Sequence, residues 1–367
     1  VTEGPSATHD DAAPSTPATY AAAGVDIEAG EAAVERIRPL VATTLRPEVL
    51  GGLGDFGGLF ALAADRYRQP VLVACTDGVG TKAVVARDAG RFDTIGVDLV
   101  AMCVDDLVCQ GAEPLFVLDY ISTGSVDPDQ MVALVAGVAD GCRQVGATLL
   151  GGEMAEHAGL MAPGEFDLVG FAVGVVERDR ILGPDRVRAG DVLIGLPSPG
   201  LRSNGYTLAR QVLLERAGLG LGDPAWDGAG TTVADELLAP SVLYTPGVRA
   251  ALEVAEVHAV AHITGGGIPG NLPRALPQGV RATVACDAWV VPRLFSEIRR
   301  LGPVTDAEMV RVFNLGLGMV LVVPPDATEA ALGALAGAGL DPLAVGRVDE
   351  GERGVELLGS PAWDAVR

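Results

Sequence analysis

Apolar runs of strand length repeatedly meet glycine-rich turns in this chain, several of which open into helices, and that device limits its fold more than any other feature. Val71 to Thr76 runs into Asp77-Gly78-Val79-Gly80-Thr81-Lys82. Val192 to Leu196 runs into Pro197-Ser198-Pro199-Gly200-Leu201-Arg202-Ser203-Asn204-Gly205 and a helix from Tyr206 to about Arg216. Val257 to Ile263 reaches Thr264-Gly265-Gly266-Gly267 and a short helix to Leu276, and Phe313-Asn314-Leu315-Gly316-Leu317-Gly318 precedes a strand from Met319 to Val323. Glycine allows the tight backbone at such turns. A helix start adds free amide N–H groups and a positive dipole end. The pattern predicts an α/β (α+β) chain and points to a ligand rich in phosphate.

Other segments fill in the order of elements. A helix is expected over Val25 to Leu45, where Ile27, Val34, Ile37 and Val41 recur at near-helical spacing. Gly51-Gly52-Leu53-Gly54-Asp55-Phe56-Gly57-Gly58 has five glycines in eight residues and reads as a loop. Further helices are expected over Thr94 to Cys109 and Val132 to Val145, with strands over Leu115 to Ile121, Thr148 to Leu150 and Asp167 to Val176. Gly151-Gly152-Glu153 reads as the loop after one of these strands. The charged run Glu177-Arg178-Asp179-Arg180 and Gly183-Pro184 read as a linker. Three regions follow: a disordered tail over 1–19, an N-terminal domain over 20–176 and a C-terminal domain over 177–367.

Charge removes whole classes of function. A formal net charge of −22 opposes nucleic acid, whose phosphates demand a basic footprint. Screening confines that repulsion to within about 8 Å at physiological salt, so a few local cations or amides can still recruit an anion. No apolar run reaches the roughly 20 residues of a membrane span. The tail carries no basic cluster with an apolar core, and five cysteines form no C-x-x-C pair. Reduced thiols in a cytoplasmic protein are the expectation.

Lys82 is the single lysine among 26 basic residues. Its ammonium is a compact point charge, and its place beside Asp77, Gly78, Gly80 and Thr81 predicts contact with a phosphate group. On the helix Thr94 to Cys109, Asp98, Asp105 and Asp106 stand among apolar residues. Buried carboxylates need a cation, a donor or solvent. With Asp77 nearby, a bridging Mg2+ is one expectation and a solvated acidic stripe the other. His262 and Glu153 stand at the ends of strands, where a side chain reaches a site edge; a satisfied core histidine and a solvated loop glutamate are the other readings. The glycine runs match neither the P-loop nor the Rossmann fingerprint.

Taken together these segments resemble the phosphoribosylformylglycinamidine cyclo-ligases, the aminoimidazole ribonucleotide synthetases of purine biosynthesis. The likeness rests on Tyr20-x-x-x-Gly24-Val25-Asp26-Ile27, Gly51-Gly52-Leu53-Gly54, Thr76-Asp77-Gly78-Val79-Gly80-Thr81-Lys82 and the run Asp93 to Met102. It continues through Gln110 to Phe116, Gly151-Gly152-Glu153, Ser203-Asn204-Gly205-Tyr206, His262 to Gly267 and Phe313-Asn314. The resemblance implies two α/β domains, with N-terminal strands of two subunits forming a barrel across a homodimer. It implies phosphorylation of the amide oxygen of formylglycinamidine ribonucleotide by ATP, then ring closure through an iminophosphate to 5-aminoimidazole ribonucleotide. Lys82, Asp77, Asp106 and His262 are then the catalytic candidates, with Asp77 and Asp106 on Mg2+ and K+ a second candidate cation. Gly51, Gly52, Gly54, Gly78, Gly80, Thr81, Glu153, Arg202, Ser203, Asn204, Thr264, Gly265, Gly266, Gly267 and Asn314 are the candidates for ATP and substrate binding. The alternatives are a related ATP-dependent small-molecule kinase or synthetase, and a nucleotide-binding regulator without turnover.

The chain departs from that pattern at several positions. Arg202 stands where the family often has histidine, and Asp105 where many relatives have asparagine. Asp55 replaces a glycine, and Met154 and Ala158 alter the segment after Glu153. A guanidinium does not titrate usefully but can bind phosphate. From sequence alone, Arg202→His is expected to preserve or raise activity if the position serves only binding or proton transfer, and a collapse of activity would show that Arg202 has a necessary contact of its own.

Overall fold

The structure, a computed structural model, describes residues 23–54 and 56–363. The expected tail, Tyr20 and Asp55 lie outside the described residues. Helix α1 (Ile27–Ala42) begins where the Asp26 side chain accepts from the Ala29 amide, and buries Ala33, Ile37 and Val41. The glycine loop that follows is the connection of a small antiparallel hairpin, Val49–Leu50 with Leu59–Phe60.

Four strands make the first sheet: β1 (Pro70–Gly78), β2 (Glu113–Thr123), β3 (Thr148–Glu156) and β4 (Phe166–Glu177), in the order β1-β4-β2-β3. All pairs are antiparallel except β2 with β3. Helices α2 (Lys82–Ala89), α3 (Ile95–Cys109) and α4 (Pro128–Val145) join the strands. Asp127 caps α4 and Pro128 occupies its first turn, where a missing N–H costs nothing. Strand β3 runs through Gly151-Gly152-Glu153 instead of ending before them. Parallel pairing opposite Asp119 and Tyr120 carries it on, a long-range contact that glycine content argues against locally. At Gly152 a Cβ would stand 1.8 Å from Asp119 Oδ1, so only glycine fits there.

The second sheet holds β5 (Val192–Pro197), β6 (Ala259–His262), β7 (Val280–Ala285), β8 (Leu317–Val323), β9 (Leu343–Glu350) and β10 (Gly354–Leu358). Their order is β10-β7-β9-β5-β8-β6, antiparallel except for β10 with β7. Alternate residues of β5 and β8 feed two apolar clusters: Leu193, Val320 and Val322 on one face, Ile194, Leu196 and Leu321 on the other. The helix expected from Tyr206 is α-helical only as α5 (Tyr206–Arg210) and continues as a π turn over Gln211–Arg216. Helices of this half include α6 (Thr245–Val254), α7 (Gly267–Asn271) and α8 (Thr328–Gly337).

A single apolar core joins the first sheet and its helices to Leu201, Tyr206, Ala209, Val212 and Phe313 of the second half. The two halves therefore meet over packed side chains beside α3. Leu72, Tyr120 and Phe171 stay 61%, 40% and 40% exposed on the first sheet. No helix among the described residues is long and apolar enough to cross a membrane.

Candidate functional site

Helix α3 is buried on almost every side, and its three aspartates have different surroundings. Asp98 and Asp105 are 0% exposed. Asp98 Oδ1 accepts from the Ser241 amide at 2.8 Å and the Ser241 hydroxyl at 2.6 Å, while its Oδ2 lies 2.5 Å from Lys82 Nζ. Asp105 Oδ1 accepts from the amides of Tyr244 and Thr245, each at 3.1 Å, and from Thr245 Oγ1 at 3.0 Å. Asp105 Oδ2 meets Arg202 at 2.7 Å. These two acids clamp α3 to the segment 241–245. Neither a solvated stripe nor a Mg2+ bridge describes them.

Lys82 is 0% exposed, and its Nζ also donates to the carbonyls of Ala239 at 2.9 Å and Arg202 at 3.2 Å. An ammonium has three protons, and three protein oxygens surround it. In this structure the ammonium meets no open surface: it pairs with Asp98 inside the first half and bonds two carbonyls of the second half. Burial pulls the ammonium below its usual range, and Asp98 pushes back. Arg202 is 1% exposed, donates to the Val242 carbonyl at 2.9 Å and lies over the Tyr244 ring. Its Nε is buried without a partner, but the rest of its charge is spent inside the protein. Asn314 is likewise buried: it donates to Gly200 O at 3.0 Å and accepts from the Gly316 amide at 2.8 Å, bonds that hold a turn.

Asp106, one residue past Asp105, faces outward with its side chain 45% exposed. Its Oδ1 lies 2.9 Å from His262 Nδ1 at the end of β6. Such a pair fixes ring orientation and tautomer, leaving Nε2 for chemistry. His262 Nε2 is buried and has no protein partner. Asp77, at the end of β1, accepts from the Gly78 amide at 2.7 Å. Burial pushes its carboxyl up, and the nearby Asp106 carboxylate adds to the rise. Two acids that disfavour one another's charge form a donor set that a hard cation would relieve. Among the described residues no cluster of three or more His, Cys, Asp or Glu could enclose a metal.

The turns converge beside this group. Thr81 Oγ1 and Thr207 Oγ1 are 3.2 Å apart, joining the turn after β1 to α5. Asn204 Nδ2 is 3.7 Å from where a Cβ of Gly265 would stand. Ser203 Oγ and Asn204 Oδ1 are buried without protein partners. Gly267 needs its φ of 59°, and a Cβ there would strike Val310 O at 2.0 Å. Asn271, which sequence reasoning missed, staples the glycine turn by donating to Gly265 O at 3.1 Å and Gly267 O at 2.9 Å. Its only sequence signal is a polar residue four positions after a glycine run.

Gly52, Gly54 and Glu153 lie elsewhere. They line a cavity of about 940 Å³ between α1, the glycine loop and strands β1 to β4, with Thr76 and Asp119. Asp119 was also missed: it reads as an ordinary strand residue, yet Oδ2 is buried without a partner. Burial pushes its carboxyl from 3.8 to about 7. A raised carboxyl favours the folded state when protonated, so its contribution is present below about pH 4 and is lost as pH rises through 7. Asp119→Asn is expected to stabilise the protein at pH 8, the gain shrinking toward pH 4. Melting temperatures across that range check it, and a constant difference would refute it.

Two linked sheets, interlocked glycine turns and an acid–histidine group between the halves define a protein of the AIR synthase related class. The N-terminal domain of that family, "AIR synthase related protein", matches residues 62–176 and its C-terminal domain matches residues 188–358. The chain belongs to the phosphoribosylformylglycinamidine cyclo-ligase family. It is 54% identical over 334 residues to the cyclo-ligase of Myxococcus xanthus, covering 91% of this chain and 96% of that one. It is 49% identical over 343 residues to that of Citrifermentans bemidjiense, covering 94% and 98%. Thiamine-monophosphate kinase from Stenotrophomonas maltophilia shares the fold at a TM-score of 0.62 and 20% identity, over 90% of this chain and 97% of that one. The hydrogenase maturation protein HypE in complex with ATP shares it at 0.62 and 17%, over 89% and 90%.

Proposed function

We propose that the chain closes formylglycinamidine ribonucleotide to 5-aminoimidazole ribonucleotide, using ATP and releasing ADP and phosphate. The observation that carries this reading is the grouping of Asp77, Asp106 and His262 beside Ser203 and Asn204. His262 Nε2, Ser203 Oγ and Asn204 Oδ1 are buried polar atoms with no protein partner, and such atoms call for a ligand. The names of relatives near 50% identity supply the substrate. The ATP held by the neighbouring HypE structure supports the nucleotide.

In this reading Asp77 and Asp106 hold Mg2+, which would neutralise charge on the phosphates during transfer. Asp106 orients His262, and Nε2 exchanges a proton with the substrate nitrogen or amide oxygen. The amides of Gly80, Thr81, Gly265 and Gly266 line the turns on either side, where partial positive charge suits an anion. Lys82 and Arg202 act from behind these turns, by holding them. The cavity at Gly52, Gly54 and Glu153 is a second binding region for ATP or substrate. The exposed apolar face at Leu72, Tyr120 and Phe171 pairs with a second copy.

Purified protein given ATP, formylglycinamidine ribonucleotide and Mg2+ is expected to form the aminoimidazole with one phosphate per turnover. Chelation with EDTA is expected to abolish it. Nucleotide binding without phosphate release would instead support a regulator, and transfer of phosphate to a stable product a kinase. Light scattering is expected to give twice the chain mass; the mass of one chain would remove the dimer.

A further inference from the structure

The two departures at Arg202 and Asp105 face one another. Their 2.7 Å ion pair joins the halves, with side chains 1% and 0% exposed. Each is completed by other bonds: Arg202 to the Val242 carbonyl, Asp105 to the Tyr244 and Thr245 amides and the Thr245 hydroxyl. The Tyr244 ring lies 4.8 Å from the guanidinium carbon. Arg202 also has φ of 60°, in the left-handed region that side chains other than glycine rarely occupy. Something must hold it there, and the bonds to Asp105 and Val242 do. Its own carbonyl, turned by that backbone, accepts from Lys82.

Position in the chain gives the pair its consequence. Arg202 immediately precedes Ser203 and Asn204, whose buried Oγ and Oδ1 lack partners. Asp105 immediately precedes Asp106, which holds His262. The ion pair thus ties the backbone behind one set of ligand-facing atoms to the backbone behind the other.

We propose that Arg202 and Asp105 act as one positioning unit, a buried charge couple that sets Ser203–Asn204 against Asp106–His262. Neither residue touches substrate. Removing one charge leaves the other buried and unpaired, whereas neutralising both leaves no such charge. The sequence-based expectation that Arg202→His alone is tolerated is thereby reversed. This proposal rests on the cyclo-ligase reading of the site.

The test is a double-mutant cycle with Arg202→His, Asp105→Asn and both together, read by ring-closure kinetics and by melting temperature. Each single variant, assayed well below its melting temperature, is expected to lose about tenfold or more in kcat/KM, and the double variant to recover most of it. Arg202→Lys keeps a charge for Asp105 but loses the fork that reaches Val242. It is expected to fold, with a melting temperature near the parent's and a raised KM, so it stays readable if a neutral single variant does not fold. Singles that match the parent, a double no better than the product of the singles, or lower melting temperatures with unchanged KM would each overturn the proposal. A parent protein without ring closure would sink the activity reading instead, and the cycle in melting temperature would still measure the couple.

Discussion

Lys82→Ala is expected to cost about 3–5 kcal/mol of folding stability, because it strands the fully buried Asp98 beside an empty site. The loss has a structural address. Lys82 Nζ is the common partner of Asp98 on α3, the Arg202 carbonyl and the Ala239 carbonyl, so its removal loosens both sides of the junction. Denaturant unfolding checks this, with a midpoint far below the parent's expected. Activity falls with stability, and Asp98→Asn in the same chain is expected to recover part of the loss by removing the stranded charge. A midpoint equal to the parent's with turnover abolished would return Lys82 to the phosphate. Lys82→Arg is expected to fare little better, since a planar guanidinium does not fit three oxygens set around a compact ammonium.

The opposite signature is expected at His262. Its partner Asp106 is half exposed, so His262→Ala leaves a carboxylate that water can solvate. Stability is expected to change little by comparison, while kcat falls by about 10² to 10⁴ if Nε2 moves a proton. Steady-state kinetics beside a melting curve separates the two effects. Turnover near that of the parent would remove His262 from proton transfer. A large fall in melting temperature with KM and kcat intact would make it a core histidine. Lys82 and His262 both stand beside glycine runs and both are buried, and the different exposure of their acid partners, Asp98 and Asp106, gives them opposite expected behaviour.

The acids on α3 show why the site was only half legible. Spacings of seven and eight residues place Asp98, Asp105 and Asp106 near one face, but a helix turns about 100° per residue. Asp105 therefore falls roughly 20° from Asp98, and Asp106 roughly 80° away on the other side. The first two point at the segment 241–245 and are buried; the third reaches the edge beside His262 and stays half exposed. The angle was available from the spacing. The identity of the neighbours was not, because Ser241, Tyr244 and Thr245 lie about 140 residues along the chain.

Helices and strands were set largely by the sequence itself: apolar periodicity, the Asp26 and Asp127 caps and the glycine turns act over a few residues, which local sequence carries in full. Strand β3 escaped that reading, since its passage through Gly151 and Gly152 depends on pairing with β2. Tertiary structure alone decided which charges are spent inside. Lys82 and Arg202 are cations beside glycine turns by sequence, and only the approach of α3 gives each a buried carboxylate. Pairing energy depends on burial and on distances of a few ångströms between residues far apart in the chain, and no local pattern encodes either.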